Sequence, residues 1–166
     1  MLKPLLVLCL GNEIISDDRF GPEVARRLQE ESGEGLGADV IFAPLAGFRL
    51  LDLLAGRRAA LIVDTIRTGH AAPGTLHEFP AGVLTPSKNL TTSHQISLPT
   101  ALELGRQLGV ELPEVIDVLA VEAHDLETLR EEMTAPVQEA MDKALQFVYQ
   151  WIERNSSKES DHADSN

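Results

Sequence analysis

The first 28 residues constrain the fold more than any other stretch of the chain. Leu5–Leu10 is a continuous apolar run, which is typical of a parallel strand buried on both faces. The run ends at Gly11, and Pro22 opens a pattern of apolar residues at helical spacing. The chain therefore begins as strand, loop and helix, with Asp17 and Asp18 in the loop. In open α/β sheets, loops at the carboxyl ends of strands bind ligands.

Strand and helix patterns alternate along the rest of the chain. Apolar strands are predicted at 39–43, 59–63 and 115–121, with helical patterns between them. Thr75–Phe79 alternates in polarity, which favours an antiparallel strand at an edge of the sheet. A long amphipathic helix follows a cap at Thr134. The sequence predicts a three-layer α/β/α sandwich with a mostly parallel, doubly wound sheet of about five strands.

Size and charge limit the number of domains and the kinds of partner. The 166 residues fit one domain, which we place at 1–154, with a polar tail at 155–166 that we expect to be disordered. The formal net charge of −12 disfavours nucleic acid and anionic membranes, which need clustered Lys and Arg. Leu2–Leu10 lacks a following cleavage site, and no stretch approaches the ~18 apolar residues of a membrane span. We therefore expect the protein to be cytoplasmic. We also expect it to be a monomer.

Two carboxylates are expected at the same edge of the sheet. Asp18 follows the first strand and Asp64 ends the third, and these strands are neighbours in a doubly wound sheet. His94 lies in a polar loop before a helix, at the same end of the sheet if that crossover is regular. Two carboxylates and an imidazole suit a first-row divalent ion such as nickel, zinc or manganese. The residues therefore predict a metal site formed by Asp18, Asp64 and His94.

Each candidate also has a purely structural interpretation. An Asp before a helix is commonly a cap, and Asp17 either orients a water molecule or fixes its loop; we favour the loop. A charge directly after five apolar strand residues is costly to bury unless it binds something, which favours a function for Asp64. His94 alone is one of five histidines. His77, in the edge strand, is expected to be solvated, and Cys9 to be a small core residue.

Several short motifs coincide with these candidates. They are Gly11-Asn12, Asp17-Asp18, Gly21, Asp64, Pro73-Gly74-Thr75, Ser93-His94-Gln95 and Ala135-Pro136-Val137. With these motifs, residues 3–152 resemble the hydrogenase maturation endopeptidases, which trim the C-terminal extension from the large-subunit precursor of nickel-iron hydrogenases. The resemblance implies that Asp18, Asp64 and His94 contact a metal, and that the metal is nickel already placed in the precursor.

The chain departs from that family in two places. The loop at 43–47 matches the family's glycine- and threonine-rich segment only at Gly47, and Arg19 stands where many members have glycine. The loop lies at the predicted ligand-binding end of the sheet. The type of hydrogenase processed is therefore left open by the resemblance.

Motifs that the sequence lacks reduce the number of possible reaction mechanisms, but several functions stay open. The chain has neither a His-Glu-x-x-His pair nor a Gly-x-Ser-x-Gly elbow, which leaves metal-assisted hydrolysis. A receiver-like phosphoacceptor domain would share the sheet and the acidic residues, but the strand at 115–121 runs into Glu122 where a receiver needs a lysine. A non-catalytic nickel-binding maturation chaperone would use the same three ligands. A dinucleotide site is disfavoured because the glycine spacing after the first strand is wrong.

Overall fold

A computed structural model describes residues 1–44, 48–84 and 98–157. The strands are β1 (Leu5–Leu10), β2 (Asp39–Ala43), β3 (Ala59–Ile66), β4 (Leu76–Pro80) and β5 (Val115–Glu122). The helices are α1 (Phe20–Ser32), α2 (Arg49–Leu54), α3 (Leu98–Gln107), α4 (Ala135–Glu139) and α5 (Met141–Ser156). Single 3₁₀ turns lie at Asp17–Arg19, Gly33–Gly35 and Ala81–Val83.

The strands form one sheet in the order β2-β1-β3-β5-β4. Three of the four pairings are parallel, and β4 pairs antiparallel with β5 at an edge. The predicted three-layer fold, the neighbouring positions of β1 and β3 and the antiparallel edge strand are all confirmed. Within the described residues, no helix is long and apolar enough to span a membrane.

Two apolar cores flank the sheet, and β1 contributes to both. Leu5, Val7 and Cys9 face the core that contains α1 and α5, whereas Leu6, Leu8 and Leu10 face the core that contains α2 and α3. Successive strand residues point to opposite faces, so a strand covered on both sides must be apolar at every position. This arrangement explains the unbroken apolar run with which the chain begins.

Strand β3 is longer than its apolar sequence predicts. The ladder with β5 continues past Val63 through Asp64 and Thr65 to Ile66. The prediction that the strand ends at Asp64 was therefore wrong, because backbone hydrogen bonds to β5 extend it beyond its apolar segment. Asp64 and Thr65 are consequently held by the sheet and not by a loop.

The final helix also differs from its predicted form. It is divided at Ala140 into α4 and α5, where the Ala140 amide donates to the carbonyl of Val137 in a tighter, 3₁₀-type turn. Helix α5 runs to Ser156, so the boundary predicted at residue 154 falls inside it. Asn155 is only 5% exposed, and its amide Nδ2 donates to the Trp151 carbonyl. The end of the helix is therefore packed against the domain.

Candidate active site

Two glycines allow the loop after β1 to fold back on itself. A Cβ atom on Gly11, whose φ is +148°, would collide with the carbonyl oxygen of Asp18. A Cβ atom on Gly21 would likewise collide with the carbonyl oxygen of Leu10. The loop is closed by a hydrogen bond of 3.0 Å from the Asn12 amide to the Asp18 carbonyl. Glycine is needed at both positions because backbone atoms fill the space that a side chain would occupy.

Asp17 is fully buried, and its carboxylate is surrounded by donors. One oxygen accepts the amides of His124 and Asp125 at 2.8 and 2.7 Å. The other accepts the amide of Thr134 at 2.7 Å, and the Thr134 hydroxyl lies within 2.9 Å of it. Thr134 occupies the predicted cap position of α4, but its side chain serves Asp17 and not the helix. These donors satisfy the buried carboxylate and fix its position.

The backbone around Asp17 makes further contacts with the same distant segment. Ile15 forms a bridge with Leu129, and the Ser16 amide donates to the Thr128 carbonyl at 3.0 Å. The Ser16 hydroxyl donates to the carbonyl of Glu132 at 3.0 Å. We call residues 14–17 together with 122–134 the clasp. The clasp supports the hypothesis that Asp17 fixes its loop, and it determines where the next residue, Asp18, lies.

Asp18 and Asp64 both lie at the carboxyl edge of the sheet, and Thr65 is hydrogen-bonded to each of them. The two acids are 3% and 1% exposed. The Thr65 amide donates to Asp64 Oδ1 at 2.8 Å, and the Thr65 hydroxyl donates to Asp18 Oδ1 at 3.2 Å. Sequence reasoning missed Thr65, because the predicted strand ended one residue before it.

The carboxyl group of Asp64 is incompletely satisfied. Among the described residues, its Oδ2 atom is buried without a hydrogen-bond partner. Burial raises the pKa of Asp64 well above its usual value, and the negative charge of Asp18 raises it further, although the Thr65 amide opposes this shift. A buried polar atom without a partner costs about 1–3 kcal/mol, and more when it is charged. Asp64 is therefore the strongest candidate for a group that binds a cation or a proton.

Cys9 lies within β1 and is fully buried. Burial and, secondarily, the nearby charge of Asp64 raise the pKa of its thiol. Because the thiolate is the nucleophilic form, this environment suppresses reactivity. Cys9 is the core residue that the sequence predicted.

Glu122 is a further buried acid, just past the end of the strand predicted at 115–121. It ends β5, is 2% exposed, and accepts the amides of Thr68 and Gly69 at 2.9 and 3.1 Å. His77 Nε2 lies 3.0 Å from its other oxygen, so His77, which was predicted to be solvated, is half-buried against Glu122. Burial alone would raise the pKa of Glu122, but the Thr68 bonds and the other donors outweigh it and lower the pKa.

Two of the short motifs are brought together beside Glu122. The Gly74 amide donates to the Glu122 carbonyl, and the Glu122 amide donates to the Thr75 carbonyl, each at 2.8 Å. Gly74 has a φ of +86°, and a Cβ atom there would collide with the carbonyl oxygen of Pro136. The motifs containing Gly74 and Pro136 therefore act as packing elements that support the edge of the site.

The structure brings together two of the three predicted metal ligands. Thr65 links Asp18 and Asp64 at the same edge of the sheet, whereas His94 lies outside the described residues. In the part of the chain that the structure describes, no group of three or more His, Cys, Asp or Glu is placed to hold a metal ion. The described donor set is thus a carboxylate pair, and the role of His94 stays a prediction.

The fold is that of an α/β protein, and the acid pair marks a candidate ligand site at the carboxyl edge of the sheet. The model of the HycI hydrogenase maturation protease family matches residues 22–151, and the chain belongs to this family. The chain is 28% identical over 149 residues to the hydrogenase 2 maturation protease of Escherichia coli K12, which covers 87% of each sequence. The receiver hypothesis is therefore wrong, and the resemblance to hydrogenase maturation endopeptidases is confirmed.

Solved structures of such proteases have the same fold. The hydrogenase maturating endopeptidase HybD from E. coli superimposes with a TM-score of 0.77 at 25% identity, covering 93% of this chain and 94% of that one. The [NiFe] hydrogenase maturation protease HybD from Thermococcus kodakarensis gives a TM-score of 0.63 at 22% identity, covering 92% and 99%. The second likeness supports the fold alone.

Proposed function

We propose that this protein is the endopeptidase that removes the C-terminal extension from the nickel-loaded large-subunit precursor of a nickel-iron hydrogenase. Asp18, Asp64 and His94 would contact the nickel, which belongs to the precursor and arrives with it. Membership of the hydrogenase maturation protease family supports the reaction class. The acid pair at the sheet edge supports the location of the site.

The observation that carries the proposal concerns the Oδ2 atom of Asp64. This oxygen is buried, lies on an acid that Thr65 links to a second carboxylate, and has no donor among the described residues. By contrast, Asp17 and Glu122 each have several donors. A cation held by Asp18 and Asp64 would satisfy this oxygen and relieve the repulsion between the two carboxylates.

The carboxylate oxygens of this pair are acceptable ligands for a first-row divalent ion, and an imidazole from His94 would complete a borderline set. Bound nickel would supply Lewis acidity, polarising the scissile carbonyl and lowering the pKa of its bound water to about 7. The protein would supply orientation: the clasp and β3 hold the two acids on rigid elements. The buried thiol of Cys9 is not available for covalent catalysis.

Delivery of nickel by the precursor would couple cleavage to the completion of metal insertion. A site of two carboxylates and one imidazole leaves coordination positions open, which ligands of the precursor can fill. We therefore expect the isolated protein to be essentially metal-free and to bind free nickel weakly. Cleavage would then report that the large subunit already carries its metal.

A gel assay with purified components tests this function. The protein, dialysed against chelator, is mixed with nickel-loaded or nickel-free precursor, and shortening of the precursor is followed over time. We expect only the loaded precursor to be shortened. Cleavage of nickel-free precursor at the same rate would contradict the metal requirement. Stable binding of loaded precursor without cleavage would instead identify a non-catalytic nickel-binding chaperone.

A further inference from the structure

Thr65 occupies an unusual place between the two acids of the site. It follows Asp64 in β3, where successive side chains point to opposite faces of the sheet. Asp64 shares its face with Ile62, in the core that contains α2 and α3, while Thr65 shares its face with Val63, in the core that contains α1 and α5. The Thr65 side chain therefore lies on the side from which the turn bearing Asp18 approaches.

Thr65 binds both acids through different atoms. Its backbone amide donates to Asp64 Oδ1 and its hydroxyl donates to Asp18 Oδ1. Thr65 is itself 1% exposed, so water does not compete for these bonds. The backbone bond survives any substitution except proline, whereas the hydroxyl bond depends on the side chain.

We propose that Thr65 is a positioning residue of the metal-contacting site, which fixes the Asp18 carboxylate relative to Asp64 by means of its hydroxyl. Thr65 holds one oxygen of each acid, and the Oδ2 atom of Asp64 has no donor among the described residues. Two buried carboxylates repel each other, and a hydroxyl donated to one of them reduces that repulsion and restricts its orientation. This inference rests on the proposed function, since it assumes that the acids contact nickel.

Substitution by valine removes the hydroxyl while keeping the shape and the β-branched character that suit a buried strand. Outer hydrogen-bond partners of metal ligands typically contribute 10–100-fold to affinity or activity. We therefore expect Thr65→Val to lower kcat for loaded precursor by about 10–100-fold with little change in KM. Thr65→Ser keeps the hydroxyl and should recover most of the lost rate.

A second readout does not depend on cleavage. Titration calorimetry with Ni²⁺ alone should show weaker binding to Thr65→Val than to the unaltered protein, and near-normal binding to Thr65→Ser. The control is Ser157→Ala, which removes an exposed hydroxyl bonded to the Glu153 carbonyl just past the end of α5. We expect this control to leave nickel affinity and cleavage unchanged.

The outcomes separate the inference from the function on which it rests. Unchanged kcat and nickel affinity in Thr65→Val would overturn the positioning role, as would failure of Thr65→Ser to recover the rate while its melting temperature is normal. Failure of the unaltered protein to cleave loaded precursor would overturn the proposed function. In that case the ratio of nickel affinities between the unaltered protein and Thr65→Val still decides whether Thr65 positions the acids.

Discussion

Asp17 and Asp64 are both buried carboxylates at the same edge of the sheet, yet their surroundings are opposite. Asp17 accepts hydrogen bonds from three backbone amides and a hydroxyl across the clasp. Asp64 accepts the amide of Thr65 at Oδ1, and its Oδ2 atom has no partner among the described residues. Burial raises the pKa of Asp64, and Asp18 raises it further.

The contrast separates an acid that is satisfied by donors from one that is not, and under the proposed function the second acid contacts the metal. A carboxylate surrounded by donors contributes to the stability of the folded state. A carboxylate left short of donors destabilises it, and such an arrangement is retained where the group performs a task. Substitution should therefore separate the two acids: stability should depend on Asp17, and activity on Asp64.

The largest expected effect is the loss of processing in Asp64→Asn. Losing a proposed ligand should exceed the 10–100-fold typical of outer-shell partners, so we expect cleavage of loaded precursor to fall by more than about 100-fold. The fold should persist, because the amide is nearly isosteric and removes a buried charge. Precursor shortening and thermal melting are measured together, with the exposed Asp52→Asn as the control. Full processing by Asp64→Asn would remove Asp64 from the site.

Asp17→Asn should act mainly on stability. The amide group would place donors against backbone amides that now donate to a carboxylate, and hydrogen bonds to charged groups contribute about 1.5–3 kcal/mol each. We expect a loss of about 2–4 kcal/mol in the free energy of unfolding, measured by urea denaturation. A variant as stable as the unaltered protein but inactive would show that Asp17 acts in the chemistry and not in the clasp.

The raised pKa of Asp64 predicts a pH dependence of stability with a defined sign. An acid with a higher pKa in the folded state binds its proton more tightly when folded, so its contribution is most favourable below the unfolded value of about 3.9. That contribution falls as pH rises from there through the raised folded pKa. Denaturation of the unaltered protein and Asp64→Asn from pH 4 to 8 should show the variant gaining relative stability as pH rises. A constant difference would mean that the pKa of Asp64 is not raised.

The smallest expected effect compares two threonines. Thr134→Val removes a hydroxyl from Asp17 but keeps the Thr134 backbone amide bond. We expect it to cost about 1 kcal/mol in the free energy of unfolding, with cleavage by the folded protein unchanged. Thr65→Val should show the reverse pattern. If the two substitutions changed kcat equally, the proposed difference in role between the clasp and the metal-contacting site would be wrong.

The sequence by itself determined the α/β architecture and the position of the acid pair at the carboxyl edge of the sheet. The apolar run of β1 and the alternation of strand and helix patterns follow from the local periodicity of the sequence. These patterns and the turn glycines can be identified without coordinates. The order of neighbouring strands follows from the doubly wound pattern, and it places Asp18 and Asp64 at one edge. The sequence also predicted His94, both from its polar loop before a helix and from the family resemblance, but His94 lies outside the described residues.

Only the tertiary structure decided which hydrogen-bond donors surround each acid. Asp17 and Asp18 are adjacent in the chain, but the donors of Asp17 lie more than 100 residues away, at His124, Asp125 and Thr134. The extension of β3 to include Thr65 and the burial of Glu122 likewise depend on pairing with distant segments. The spacing of apolar residues along the sequence indicates which face of a helix or strand is apolar. The supply of hydrogen-bond donors to a buried carboxylate depends on which remote backbone amides the fold brings to it.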